Sequence, residues 1–255
     1  MSRQLKIILL AGMALIMGFY SDCPAYAALS VNVNCVEDTY ADWSSTNSNY
    51  GGASIVRINT FTRWRSFFKP NLSSLNNKLI VGADITVYST DIGVGWAYAT
   101  FRNVNGLWSE NTLTWNNQPE YGPHSSSGFT NSTESSTLNI DFAARGWNID
   151  NYGVVAVCED FAHFYAFDLH SRESSFINKR PYFTIYYHNP PGTLSNSGAG
   201  QNNINVSWGA NGNPGDAVYA LFRNGSLVYK GTATSYNDTG LSAGTGYNYV
   251  VPASR

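Results

Sequence analysis

The chain is poor in charge. Only 13% of its 255 residues are Asp, Glu, Lys or Arg, where globular chains carry about a quarter. The net charge is -2, and basic residues gather only in small groups such as Arg63/Arg65 and Lys179/Arg180. A nucleic-acid partner needs a basic face, so none is expected. Past the first twenty residues there is no apolar run of bilayer length, and stable membrane insertion is not expected either. Nucleophile motifs, paired metal-ligand motifs and phosphate loops are also missing. His163 beside Glu159-Asp160 is the nearest approach to an acid–base set, and it lies in an aromatic stretch where packing explains it equally well. Catalysis is therefore not expected. Strong helix formers rarely run together. The space is filled by Asn, Ser, Thr, Gly and Tyr, and aromatics reach 15%, a balance that favours strands joined by turns.

The amino terminus reads as a secretory leader. Arg3 and Lys6 precede the apolar run from Ile7 to Tyr20, and Ala25-Tyr26-Ala27 is a small-x-small cleavage signal. Cleavage before Ala28 places the protein outside the cell, secreted or held at the cell surface. It also removes Cys23 and leaves Cys35 and Cys158. An even pair in an exported chain points to a disulfide. Two buried thiols in strands are the equal alternative.

Two segments follow, 28–188 and 189–255, separated by Asn189-Pro190-Pro191-Gly192, where proline ends any ladder and glycine frees the turn. The first holds many short strand patterns: 31–36, 55–59, 64–69, 79–89, 95–104, 137–142, 152–158, 162–169 and 181–187. A short helix or turn is expected at 143–148. Regular spacing and Gly/Asn/Ser turns point to an all-β sandwich or jelly roll. The second segment continues in strands, with Asn224-Gly225 as a hairpin turn and a central Trp208 of immunoglobulin-like type.

An ordered set of blocks carries a family resemblance. Asp38-Thr39-Tyr40 leads to Asn49-Tyr50-Gly51, then Arg65-Ser66-Phe67-Phe68-Lys69, Leu72-Ser73-Ser74-Leu75 and Ala83-Asp84-Ile85-Thr86-Val87-Tyr88. Trp108-Ser109-Glu110 and Leu113-Thr114-Trp115-Asn116-Asn117-Gln118-Pro119 follow. Trp147, Tyr152-Gly153, Ser171-Arg172-Glu173 and Arg180-Pro181-Tyr182 complete the set. Nearly the whole first segment thereby resembles the DNRLRE domain, carbohydrate-binding module family 96. The resemblance implies a β-jelly-roll, attachment to larger secreted or wall-associated proteins, polysaccharide binding in some members with alginate-type acidic glycans as one ligand class, and no catalytic residues. Pro70-Asn71 departs from the family's Phe-Asp. The second segment resembles an incomplete fibronectin type III domain, on Trp208, Tyr219, Leu241 and Thr245-Gly246-Tyr247-x-Tyr249.

The candidate sugar contacts follow from chemistry. Sugars offer apolar C–H faces to flat rings. Trp96 and Tyr98, two apart and so on one strand face, form the expected platform, with Trp43 and Trp64 as further rings. Trp108, Trp115 and Trp147 are expected in the core, because family-typical aromatics pack β interiors. Arg57 and Arg65, with Arg63 and Arg102 near them, could take a uronate through parallel hydrogen bonds, or serve as ordinary surface charge. Asp38 and Asp42, with Asn47 and Asn49, offer oxygens to a structural calcium; turn chemistry is the plain alternative. Arg172 and Glu173 are expected as a structural pair beside Arg180. The expected function is polysaccharide binding by a non-catalytic module of a longer extracellular protein, with a structural or adhesive surface module as the alternative.

Overall fold

A computed structural model describes residues 28–59, 63–90, 99–122, 128–129, 134–144, 147–148, 150–158 and 166–252. The leader at 1–27, the Trp96/Tyr98 platform, and Glu159, Asp160 and His163 lie outside the described residues. The chain is all-β and divides into two compact units, one of residues 30–76 and 80–186, the other chiefly 187–255.

The first unit runs β1 (Leu29–Ala41), β2 (Ile55–Asn59), β3 (Arg65–Pro70), β4 (Leu79–Tyr88), β5 (Ala99–Asn103), β6 (Gly128–Phe129), β7 (Ser135–Asn139), a helical turn α1 (Asp141–Ala144), β8 (Val154–Cys158), β9 (Ala166–His170) and β10 (Tyr182–His188). One sheet has the order β6-β5-β8-β3-β1-β10-β4-β7, and β2 pairs with β9 alone. β1 passes a bulge between Cys35 and Glu37, then pairs antiparallel with β3 from Glu37↔Lys69 to Ala41↔Arg65.

This register sorts β3 by parity. Ser66 and Phe68 face one way with Ala156 and Val154 of β8 opposite them, and Phe68 meets Phe101 at 6.0 Å in the deep core. Arg65, Phe67 and Lys69 face the other way. There the connection from Val104 to Tyr121 folds back over the sheet. It builds a small second core in which Trp108 and Leu113 cover Ala41, Phe67, Val155 and Val157. All five residues of β8 are therefore buried, because both faces of that strand are covered. The sequence expresses this as a continuous apolar run rather than an alternation.

The loop is held by specific contacts. Trp108 Nε1–H donates to the Tyr152 carbonyl at 2.8 Å, and Asn49 Nδ2 donates to the carbonyls of Glu110 and Leu113 at 2.6 and 2.8 Å. A Cβ on Gly51 would lie 2.1 Å from the Glu110 carbonyl oxygen, so only glycine permits this approach.

The second unit has β11 (Ser195–Ala199), β12 (Asn203–Ser207), β13 (Tyr219–Arg223), β14 (Ser226–Gly231), β15 (Ser235–Thr239) and β16 (Tyr249–Val250). They form two three-stranded sheets, β11-β12-β15 and β14-β13-β16. β12 alternates, with Ile204 and Val206 buried and Asn203, Asn205 and Ser207 turned outward. Ile204 and Val206 join Trp208, Tyr219, Leu221 and Leu241 in one core. Asn224 and Gly225, at φ 50° and 83°, make the tight hairpin between β13 and β14, as a primed turn requires.

The structure corrects the disulfide reading. Cys35 and Cys158 are both buried and are not joined to each other. Cys35 stands opposite Pro70. Cys158 lies two residues beyond Ala156, which stands opposite Ser66. The levels differ by six residues of β3, about 20 Å of strand, where a bridge tolerates about 7 Å between Cα atoms. Cys35 Sγ–H instead donates to the Glu37 carbonyl at 3.2 Å, and burial pushes its thiol pKa up.

Candidate functional site: an arginine–aromatic rim

The β1–β3 ladder ends at Ala41↔Arg65. The next outward positions, Trp43 and Arg63, therefore stand opposite each other just past the ladder. Trp43 opens a 3₁₀ turn over Trp43–Ser45 that Asp42 caps, its Oδ1 accepting from Ser44 N–H at 2.8 Å. The indole of Trp43 is 52% exposed, and the Arg63 guanidinium lies over it at 5.6 Å. On the loop-covered face, Arg65 sits 4.3 Å over the Trp115 ring and 5.2 Å from that of Tyr121, and its Nη1 donates to Gln118 Oε1 at 3.1 Å. Arg102 approaches Tyr121 at 5.7 Å. On the other face, Arg57 lies 5.1 Å over Trp64, and Trp64 tilts against Tyr40, itself stacked on Tyr50 at 4.2 Å.

Between these groups lies a cavity of about 230 Å³ lined by Asn59, Arg63, Trp64, Arg65, Tyr121, Val157 and Cys158. The Trp64 Nε1–H is buried there without an acceptor. Arg57 is matched by Asp168 at 3.3 Å. Arg63 and Arg65 have no carboxylate within ion-pair distance among the described residues. Burial pulls the Arg65 pKa down, and repulsion from Arg63 adds to that, against an opposing pull from Tyr121 and Glu120. Arg65, half-buried under its rings, and the exposed Arg63 carry positive charge that no carboxylate among the described residues takes up at ion-pair distance. Cation–π contact returns only about 0.5–1 kcal/mol at exposed sites, whereas a guanidinium–carboxylate fork is short, charge-assisted and directional.

Four of the residues expected to touch sugar, Trp43, Trp64, Arg57 and Arg65, thus come to one rim. Trp115 was expected in the core; it is only half-buried, one side on the second core and the other under Arg65. Trp108 is buried as expected, and Trp147 packs edge-on against Phe183 at 6.2 Å. Tyr121 and Gln118 carried no signal of their own, because strand periodicity does not say where a loop will fold back.

The structure gives Asp38 and Asp42, the carboxylates of the calcium reading, separate partners. Asp38 and Asp42 lie four residues apart on one strand, about 13 Å, and no cluster of three or more acidic, Cys or His side chains suited to a metal occurs among the described residues. Asp42 serves its turn through Ser44. Asp38 is 1% exposed and belongs to an ionic cluster at the far end of β3. There its Oδ2 accepts the Arg172 N–H at 2.8 Å, and its own N–H donates to Glu110 Oε2 at 3.2 Å. Arg172 reaches Glu110 and Glu173 at 3.4 and 2.6 Å and also the Val36 carbonyl. Lys69 pairs with Glu37. Arg180 donates to the Ser174 carbonyl at 2.9 Å rather than joining the pair.

A family model for carbohydrate-binding module family 96 matches residues 30–187. The poly(3-hydroxybutyrate) depolymerase of Ralstonia pickettii is 48% identical over 50 residues, which are 20% of this chain and 10% of that protein. The chain thus spans about a tenth of that relative. Among solved structures, the glycoside hydrolase domain of Endo-D from Streptococcus pneumoniae R6 aligns over 89% of this chain and 37% of its own, at 11% identity and a TM-score of 0.20, a likeness too low to carry an argument.

Proposed function

The chain belongs to carbohydrate-binding module family 96, and from that premise we propose that it holds an acidic polysaccharide of uronate type on the arginine–aromatic rim, without chemistry of its own. Arg65 is the observation that carries this reading. It is half-buried, stacked on Trp115 and Tyr121, beside a second guanidinium and without a carboxylate partner among the described residues. A sugar ring stacks on Trp43, and its carboxylate meets the guanidiniums. Asp168 is taken up by Arg57 and Asp42 by its turn, which favours binding over acid–base chemistry.

The leader pattern supports a place outside the cell, free or at its surface. The second unit, with two three-stranded sheets around Trp208, supports a partial fibronectin type III domain that spaces this module within a longer protein.

Affinity electrophoresis tests the reading. The protein should be retarded in gels containing alginate and not in gels containing a neutral glucan, and Arg65→Ala should abolish the retardation without changing the fold. Equal migration in all gels by a folded protein would leave a structural or adhesive surface module as the better account.

A further inference from the structure

Arg63 has φ 52°, in the left-handed region. The other non-glycine residues with positive φ among the described residues are Asn77, Asn211 and Asn224. Asparagine tolerates this conformation because its short amide can bond locally. Arginine gains nothing of the kind, and its Cβ crowds the following carbonyl. A turn that asparagine or glycine would close at little cost is here closed by a long cation. Such strain persists where the side chain is needed for something other than the turn. Packing is not that need: Arg63 is exposed, its guanidinium lies over the half-exposed Trp43, and its charge repels that of Arg65. It also lines the cavity that Trp64 and Tyr121 border.

Resting on the uronate reading above, we infer that Arg63 is the specificity-determining residue of the rim. Its left-handed backbone holds the guanidinium over Trp43, so that the ring stacking on Trp43 is selected for the carboxylate it carries. Trp43 then supplies affinity for any pyranose face, and Arg63 makes the choice between acidic and neutral sugars. Arg65, fixed by Gln118 and two rings, is the deeper anchor.

The strain gives the test two independent readouts. In Arg63→Gly the backbone relaxes, and after the entropy that glycine adds to the unfolded chain the folding equilibrium should move up to about tenfold toward the folded state, read by urea denaturation. Calorimetric titration with oligoalginate should show binding weakened at least tenfold, as loss of one charge-assisted fork requires. Arg63→Lys, which keeps the charge but loses the fork, should fall between the two. A glycine variant that binds oligoalginate as tightly as wild type overturns the assignment and leaves the uronate reading standing. A glycine variant less stable than wild type also overturns it, since the arginine would then be serving the fold. A wild type that binds no oligoalginate overturns both.

Discussion

The two ends of one strand face treat their cations in opposite ways. Arg65 and Lys69 stand four residues apart on β3 with Phe67 between them, and all three are covered by the same loop. At the Lys69 end the cations are matched by carboxylates: Lys69 by Glu37, and Arg172 by Glu110 and Glu173. At the Arg65 end the cations are matched by aromatic rings. Carboxylates satisfy a cation and close the site to further anions. Rings shape it and leave its charge available. The first end therefore holds the fold, the second is the end proposed to hold a ligand, and the difference lies in the neighbours rather than in the cations.

The comparison breaks hardest at the structural end. Glu110→Ala leaves Arg172 short of a partner and removes the acceptor for the Asp38 N–H. It should cost about 3–5 kcal/mol, the usual result of halving a buried ionic network. Differential scanning calorimetry would read it, and a loss below about 1 kcal/mol would mean that the cluster is better solvated than its geometry indicates.

Next in size is a pH effect at the same end. Burial raises the Asp38 carboxyl to about 8, with Glu173 and Glu110 adding and the Arg172 N–H opposing. Asp38 Oδ1 and Glu173 Oε2 are both buried without partners, so a proton on Asp38 supplies the missing donor. In the unfolded chain Asp titrates near ~3.9. Between those values the folded state holds a proton that the unfolded state gives up. This group's contribution to stability is therefore present below about pH 4 and drains away as pH rises to about 8, at up to about 1.4 kcal/mol per unit. Asp38→Asn copies the protonated form. Denaturation of both proteins at about pH 3.5 and about pH 8 should show the variant matching wild type at the lower pH and exceeding it at the higher.

At the ligand end the effect moves from stability to affinity. Arg65→Ala should weaken alginate binding about ten- to a hundredfold, as loss of one charge-assisted pair requires. Its cost to stability should stay near about 1–2 kcal/mol, since two cation–π contacts and one hydrogen bond leave the folded state. The smallest expected effect is none: with Cys35 and Cys158 far apart and not joined to each other, a reductant should not move the melting temperature.

The fold and the site were legible to different degrees. Turn residues and apolar alternation marked most strands, down to the Asn224-Gly225 hairpin, because these depend on neighbours in sequence. Arg57, Trp64 and Arg65 stood out for the same reason: their residue types carry their chemistry wherever they fall. Pairing across strands was not legible. The register that sets Trp43 against Arg63, separates Cys35 from Cys158, and gives Asp38 to the Arg172 N–H joins residues tens of positions apart. Trp115 reads as core because family-typical aromatics usually are core. Its second role appears only when the loop folds back under Arg65.

The central claim is that the rim binds a carboxylate rather than a sugar face alone. Titration calorimetry of the protein with an oligouronate and with the same oligosaccharide after reduction of its carboxyl groups tests this directly. The rings offered to the tryptophans are unchanged, and only the charge is removed. Binding to the uronate that disappears on reduction is the expected result. Equal affinity for both would contradict the account and reduce the arginines to scenery around an aromatic platform.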